Sequence, residues 1–354
     1  MDTKKHPLLI GNIYKSAVFC LFLLGLQFCN PVWAQVGGQK SLNFLNLPTN
    51  ARTAALGGVL VSASEFDGNL FLSNPALLDS SMTQHASLNY LSYFADINYG
   101  TLTYIKYLPK YGTWGVGFQY LNYGKFDSYD PSGAPLGEFR SSDFAITIGH
   151  SHNVGPFTLG ANLKWVGSQL SSYQAHGLLF DLGGIYSHPN KELNVGLVFK
   201  NFGFLITDYT ETSTSEVPFD VQLGLTFKPE FMPFRFSLTA YNIAANGDDF
   251  LDPRGDGLHP IESAQGLDKM FRRLALGTEV LMSKNVNLRV GYNHLIRQEL
   301  RLQQTSGGAG FSFGFLIKVK AFEMAYSRAL YHVAGGTNYI TLTSDLSKFM
   351  NKKD

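Results

Sequence analysis

The 354-residue chain has only two cysteines, Cys20 and Cys29. If the segment holding them is removed, as its pattern below suggests, the remainder can form neither disulfides nor thiol-based sites. Charge is scarce as well: Asp, Glu, Lys and Arg make up 16% of the chain, against about 25% in ordinary soluble domains. A formal net charge of +1 with no basic stripe argues against a nucleic-acid partner. After the N-terminal apolar stretch there is no uncharged run near the roughly 20 residues that a membrane helix needs. What the chain has in quantity is glycine, 36 residues, and aromatics, 14%.

The N-terminus sets the compartment. Lys4, Lys5 and Lys15 precede the apolar stretch Ser16 to Phe28, and Val32-Trp33-Ala34 stands before Gln35. A basic region, a short apolar core and a small-residue cleavage site make a removable secretory signal over residues 1–34. A membrane anchor is the alternative, but the apolar run is too short to span a bilayer. Lipid attachment at Cys29 is disfavoured by bulky Gln27 and Phe28, where small residues are usual.

From about residue 85 onward, apolar residues recur at every second position. In "FTLGANLKWVG" one face holds Phe157, Leu159, Ala161, Leu163 and Trp165, and the other holds Thr158, Gly160, Asn162 and Lys164. About fourteen such segments follow one another, most of them near ten residues, the length of a tilted membrane-crossing strand. Tight connections such as "LPKYG", "NVGP", "SHPNK", "KPEFMP" and "SKN" alternate with longer ones at 124–142, 169–175, 203–217, 244–269 and 296–306. That parity predicts an all-β fold, a transmembrane antiparallel β-barrel over residues 85–346 with a tail at 347–354. Closure leaves no strand edge in lipid. The segment at 97–108 is an exception to one-faced greasiness: Ile97, Tyr99, Ile105 and Tyr107 share one face while Leu102 and Tyr104 share the other.

Residues 35–84 alternate poorly, carry few charges and are too apolar for a disordered arm. A lumen of about fourteen strands is too wide for wall side chains to fill, so this segment is expected to be a periplasmic plug, or hatch, inserted into the lumen from the periplasmic side. Its stretch "NARTAALGGVLVSASEFDGNLFLSNPALLD" carries Arg52, Gly57-Gly58 and Asn74-Pro75-Ala76 just before the first strand. There the chain resembles FadL-like outer-membrane proteins, and within them the Bacteroidota branch that contains PorV and PorQ; the opening "GGQKSLNFLNLPTNARTAALGG" is most similar to PorQ-type barrels. The motifs that carry the resemblance occupy residues 37–78. It implies a fourteen-stranded barrel with an N-terminal hatch, located in the bacterial outer membrane. It further implies a part in the type IX secretion system, holding the surface complex that processes cargo and attaches it to lipopolysaccharide. The partners implied are the PorV barrel, the PorU sortase and surface-exposed PorZ, besides outer-membrane lipid and lipopolysaccharide.

Enzymatic and metal readings are weaker. Gly310-Phe311-Ser312-Phe313-Gly314 fits G-x-S-x-G, but alternation runs through it to Ile317, where the nucleophile elbow needs a strand, a sharp turn and a helix. His150 and His152 share a strand face with no third ligand in sequence. No catalytic residue, metal or cofactor is therefore expected. The loop 246–263 gathers Asp248, Asp249, Asp252 and Asp256 without calcium-loop spacing. The loop 124–142 places Tyr129 and Phe139 among turn residues, and both loops are candidates for docking a partner. Two function classes follow: a non-enzymatic anchoring barrel, or a FadL-type channel for an apolar small molecule. The mainly polar inner face of the second half argues against a greasy path through the lumen.

Overall fold

The computed structural model describes residues 41–63, 67–93, 96–211, 215–244, 266–300, 307–332 and 335–350. The expected signal at 1–34 and the first positions of the expected plug lie outside the described residues. Fourteen strands close into one barrel: β1 His85–Ser92, β2 Asn98–Leu108, β3 Gly112–Tyr129, β4 Pro135–Val154, β5 Phe157–Leu170, β6 Tyr173–Ser187 and β7 Leu193–Thr207 form the first half. The second half is β8 Asp220–Phe227, β9 Phe234–Ala240, β10 Leu274–Leu281, β11 Val286–Asn293, β12 Phe311–Val319, β13 Phe322–His332 and β14 Gly335–Asp345. Each strand pairs antiparallel with the next, and β1 closes the ring on β14, His85 opposite Asp345 and Ser92 opposite Asn338.

Alternation in the sequence becomes two wall faces. On β5 the exposed side chains include Phe157, Leu159, Leu163 and Trp165, while Asn162, Lys164 and Ser168 are buried. On β7 Leu197 and Phe199 are exposed, and Val198 and Lys200 point into the lumen. The exposed face is the greasy one all round the ring, with Leu88, Leu102, Val116, Ile148, Leu223, Leu276, Val290 and Leu342 among it. A continuous apolar belt is far larger than the patch a soluble monomer tolerates; around a closed antiparallel barrel it is the lipid-facing surface. The fold is that of a closed antiparallel β-barrel of the bacterial outer membrane. The ends of β1 and β14 that carry His85 and Asp345 share a rim with the short turns, which is the periplasmic rim of such barrels.

Several connections differ from the expectation. The segment 124–142 is not a loop: β3 and β4 continue through it as a paired ribbon, Lys125 opposite Arg140, Phe126 opposite Phe139 and Asp127 opposite Glu138. Its true turn is Asp130–Ala134, where the Asp130 carboxylate accepts from the backbone N–H of Ser132 and of Ala134, each at 2.8 Å. Ser, Gly, Asp and Pro in this stretch mimic loop composition, and the pairing shows only across strands: Phe126 stacks on Phe139 at 5.3 Å. The connection at 169–175 is likewise a short turn between Leu170 and Tyr173. β7 runs on to Thr207, and β13 is followed closely by β14, so the outer rim also carries tight connections. Long and short turns therefore do not alternate strictly; part of the length read as loop is strand standing above the belt.

At β7 the ladder slips between Phe180 and Leu182 of β6. Asn201 takes a left-handed conformation there, φ 56°, and its backbone N–H donates to Asp181 Oδ1 at 2.8 Å. A bulge of this kind adds one residue to one strand and leaves it unpaired, and here Lys200 and Asn201 both end up buried. β2 has two apolar faces because it serves two solvents: Leu102 and Tyr104 face out, while Tyr99 and Ile105 are buried in the lumen.

Candidate functional site

The lumen is occupied by residues 41–82. Contrary to the expected insertion from the periplasmic side, the described chain begins at the outer rim, where the Ser41 N–H donates to the carbonyl of Glu216 at 2.9 Å, and crosses the lumen toward the periplasmic start of β1. A 3-10 turn at Asn43–Asn46 then buries Phe44 and Leu45 against Leu91, Tyr99 and Tyr339 of the wall. Helix α1, Ala51–Ala55, starts at Asn50, whose side-chain oxygen accepts the N–H of Thr53 at 2.8 Å. It stops at Gly57 and Gly58, both at φ 90°, a conformation glycine adopts without penalty. A Cβ at Gly57 would stand 3.0 Å from the carbonyl oxygen of Tyr292, so backbone and wall meet there.

Arg52 fixes α1 to the wall. Its Nε and Nη2 bind Glu279 Oε1 and Oε2 at 3.1 and 2.8 Å. The same carboxylate takes Arg235 Nη1 at 3.0 Å and Arg289 Nε at 3.0 Å. All four side chains are about 3% exposed. Arg235, Glu279 and Arg289 are cross-strand neighbours on β9, β10 and β11, so the wall presents a prepared carboxylate between two cations. Asn74 works at the other end of the plug. Its Oδ1 accepts the Ala76 N–H at 3.0 Å and its Nδ2 donates to the Val61 carbonyl at 2.9 Å. Asn74 packs on Gly183, and the Pro75-Ala76 backbone packs on Gly160. The structure thus brings Arg52, Gly57, Gly58, Asn74, Pro75 and Ala76 into one plug.

Wall polar groups complete the seat. Thr341 Oγ1 accepts the Ala51 N–H at 2.9 Å, Asn293 Nδ2 donates to the Gly57 carbonyl at 2.9 Å, and Asn162 Nδ2 donates to the Phe71 carbonyl at 2.9 Å. Ser62 and Thr226 hydroxyls meet at 2.8 Å. Ser312, the centre of the G-x-S-x-G match, is the second residue of β12, which runs on to Val319 with no helix after it, and it donates to the Ala55 carbonyl at 3.0 Å. It is a seat residue, with no elbow around it. His150 packs against Trp114 with ring centroids 4.6 Å apart and planes tilted by 33°, and no cluster of three metal-ligating side chains occurs among the described residues.

Sequence reasoning missed Glu279 and its two wall arginines. Their inward positions on three successive strands were readable, but their adjacency depends on register. A second missed feature is a cavity of about 240 Å³ toward the outer end of the lumen, between plug residues such as Leu47 and Leu60 and wall residues Lys200, Asp220, Tyr241 and Tyr331. It has a polar side at Lys200 and Asp220 and an apolar side at Leu47, Pro48 and Leu60. Of the docking candidates, Tyr129 is 60% exposed near the ribbon tip and Phe139 lies lower on its stem. Asp248, Asp249, Asp252 and Asp256 lie outside the described residues.

No family model matches the chain. No curated protein matches it in sequence. Among solved structures, a deletion mutant of the TodX monoaromatic hydrocarbon channel is similar over 84% of this chain and 97% of its own, with a TM-score of 0.52 and 15% identity. A second TodX deletion mutant is similar over 83% and 97%, with a TM-score of 0.49 and 14% identity. A FadL homologue from Pseudomonas aeruginosa is similar over 84% and 98%, with a TM-score of 0.46 and 11% identity. At 15% identity the first of these likenesses, with its TM-score of 0.52, speaks for the fold alone.

Proposed function

We propose that the barrel is a non-enzymatic platform with a fixed plug, anchoring a protein complex at the cell surface. The observation that carries this reading is the Arg52–Glu279–Arg235–Arg289 cluster. Removing one partner from a buried ion group costs about 3–5 kcal/mol, and a plug that must break such contacts to move is poorly suited to repeated opening. The β3–β4 ribbon, with Tyr129 and Leu136 exposed near its tip, is the surface offered to the partner. The resemblance in residues 37–78 makes that partner part of a type IX attachment complex: surface PorZ, with the PorV barrel and PorU sortase in the same assembly. Deleting residues 127–137 should release the partner in a mild-detergent pull-down while leaving a folded barrel; co-purification unchanged by the deletion would remove the ribbon from this role.

A second reading, a FadL-type channel for a small apolar molecule, is favoured by the cavity of about 240 Å³ and by the kind of protein whose fold this chain shares. A single experiment separates the two. With no cysteine after residue 29, Ser62→Cys with Gly224→Cys would join plug to wall: a Cβ built at Gly224 lies 3.0 Å from Ser62 Cβ, so a shift of under about 1 Å reaches disulfide geometry. The platform reading expects the oxidised barrel to keep its partner and its cellular function. Loss of function on oxidation, restored by reductant, supports the channel.

A further inference from the structure

The outward-facing side chains form rows that can be followed from strand to strand. One row joins Phe315, Tyr326, Ile340 and Tyr90 on β12, β13, β14 and β1. The next row toward the outer rim joins Arg328, Asn338, Ser92 and Asn98, and it continues through Asn122 and Ser142 on β3 and β4. Over β13, β14 and β1–β4 the apolar belt therefore gives way to a polar row, whereas on β12 and β11 the same row holds exposed Phe313 and Val290. The tyrosines mark the boundary: Tyr326 Oη donates to Asn338 Oδ1 at 2.8 Å, and Tyr90 Oη donates to Asn98 Oδ1. Aromatic rings with hydroxyls turned toward a polar row are the girdle of a barrel at the level of the lipid head groups.

Arg328 stands in that row. It faces outward, half-buried among its neighbours, and it has no hydrogen bond or ion pair with any described residue. The lumen's arginines differ in this respect, since Arg52, Arg235 and Arg289 all meet Glu279. A cation on the lipid face is tolerated at head-group depth and costly below it, so its depth fits an interfacial role. Beside it, the Asn338 carbonyl oxygen is occupied by Tyr326, which leaves its amide N–H groups to donate, and the Ser92 hydroxyl is exposed. The acid nearest in sequence to this row on β1–β2 is Asp96, in the turn, where its backbone carbonyl accepts from Asn98 Nδ2.

We propose that Arg328, with Asn338 and Ser92, binds the phosphate of a lipid head group in the outer leaflet. A guanidinium fork matches two phosphate oxygens, and the amide and hydroxyl supply further donors to the remaining ones. The fourth strand of the patch, β2, contributes Asn98, held in place by Tyr90 and by the Asp96 carbonyl. This site lies on the outside of the wall, so it stands or falls independently of whether the plug is fixed or mobile.

The test uses the full-length barrel in dodecyl maltoside micelles, which carry no phosphate, doped with a few molar equivalents of either lipid A or phosphatidylglycerol, with retained lipid counted by native mass spectrometry. Wild type should retain phosphorylated lipid, and Arg328→Gln should lower retention about tenfold, the scale of a charge-assisted pair. Arg328→Lys should fall between them, because it keeps the charge and loses the fork. Arg328-dependent retention of either lipid supports the site and names its source: lipid A alone for a saccharolipid, both for phosphate as such. Heat-modifiable gel mobility checks that each variant is folded. Equal retention by wild type and Arg328→Gln overturns the proposal. So does a photo-crosslinker at position 338 that captures a protein instead of lipid in intact cells.

Discussion

The two faces of the same strands obey different rules. On β7, Leu197 and Phe199 face lipid and touch little of the protein, while one position away Gly196 meets the plug at Val61, Val198 is buried and Lys200 lines the cavity beside the plug. The outer face needs only to be apolar, so almost any Leu, Val or Phe serves. The inner face is fitted piece by piece: glycine where the plug backbone touches the wall, Asn, Ser or Thr where it offers a carbonyl or N–H, and charge only where the counter-charge is ready. Period-two alternation tells the faces apart, but only the outer one has its chemistry written in composition.

The inner face should break hardest at Glu279. Glu279→Ala leaves Arg52, Arg235 and Arg289 buried around a lost carboxylate, and an uncompensated buried charge costs about 3–5 kcal/mol. The midpoint of urea unfolding in lipid vesicles should fall accordingly, and Arg52 should become reachable by a guanidinium-directed reagent. Arg52→Ala should cost the barrel less, since Glu279 keeps two partners, and should loosen the plug more. A wild-type midpoint for Glu279→Ala would show that the cluster does not secure the seat.

The outer face breaks by polarity alone. Leu197 is 41% exposed midway along the outward row of β7, and Leu197→Arg should cost about 2–4 kcal/mol at that depth. Leu197→Phe should cost next to nothing. Should Leu197→Arg fold like wild type in vesicles, the lipid face has been assigned to the wrong side. Gly224 sharpens the contrast from within: a Cβ there would stand 2.8 Å from Ser62 Oγ and Val61 Cγ2, so Gly224→Ala should cost about 1–3 kcal/mol by overpacking. That loss should vanish when residues 41–63 are deleted, because the clash is with the plug and not with the wall.

This difference explains what could be read from the chain. The fourteen strands and their faces came from alternation, which the bilayer enforces on every strand separately. Asn74-Pro75-Ala76 was readable as a stiff turn because Asn caps and Pro fixes φ locally. The ribbon at β3–β4 was not, since Lys125 with Glu138 and Phe126 with Phe139 are pairs across strands and its single-strand composition is that of a loop. Glu279 was hidden for a similar reason: nothing at position 279 signals that Arg235 and Arg289 flank it until the register of three strands is known. Residues 169–175 show the same error on a smaller scale, where polar Ser171-Ser172 and the glutamines beside them suggested a long loop and the ladder simply ran to its end.

The rim belongs to neither face and should show the smallest effect. Helix α2, Leu267–Phe271, is tied to helix α3, His294–Leu300, by Asp268, which binds Arg272 Nε and His294 Nε2 at 2.8 Å each. Partial burial pushes the Asp268 carboxyl up, but hydrogen bonds from His294 and Arg272 and their charges outweigh it and hold the group below its ordinary value. A lowered folded value means that the tie is fully present above the unfolded pKa and is lost as pH falls through the folded one. Protection of residues 267–271 against hydrogen exchange, taken relative to the intrinsic amide rate at each pH, should therefore be high at neutral pH and fall in acid, with that of the strands unchanged. Asp268→Asn should show the low protection already at neutral pH. Protection in the variant that still rises from acid to neutral pH would assign the tie to another group on the rim.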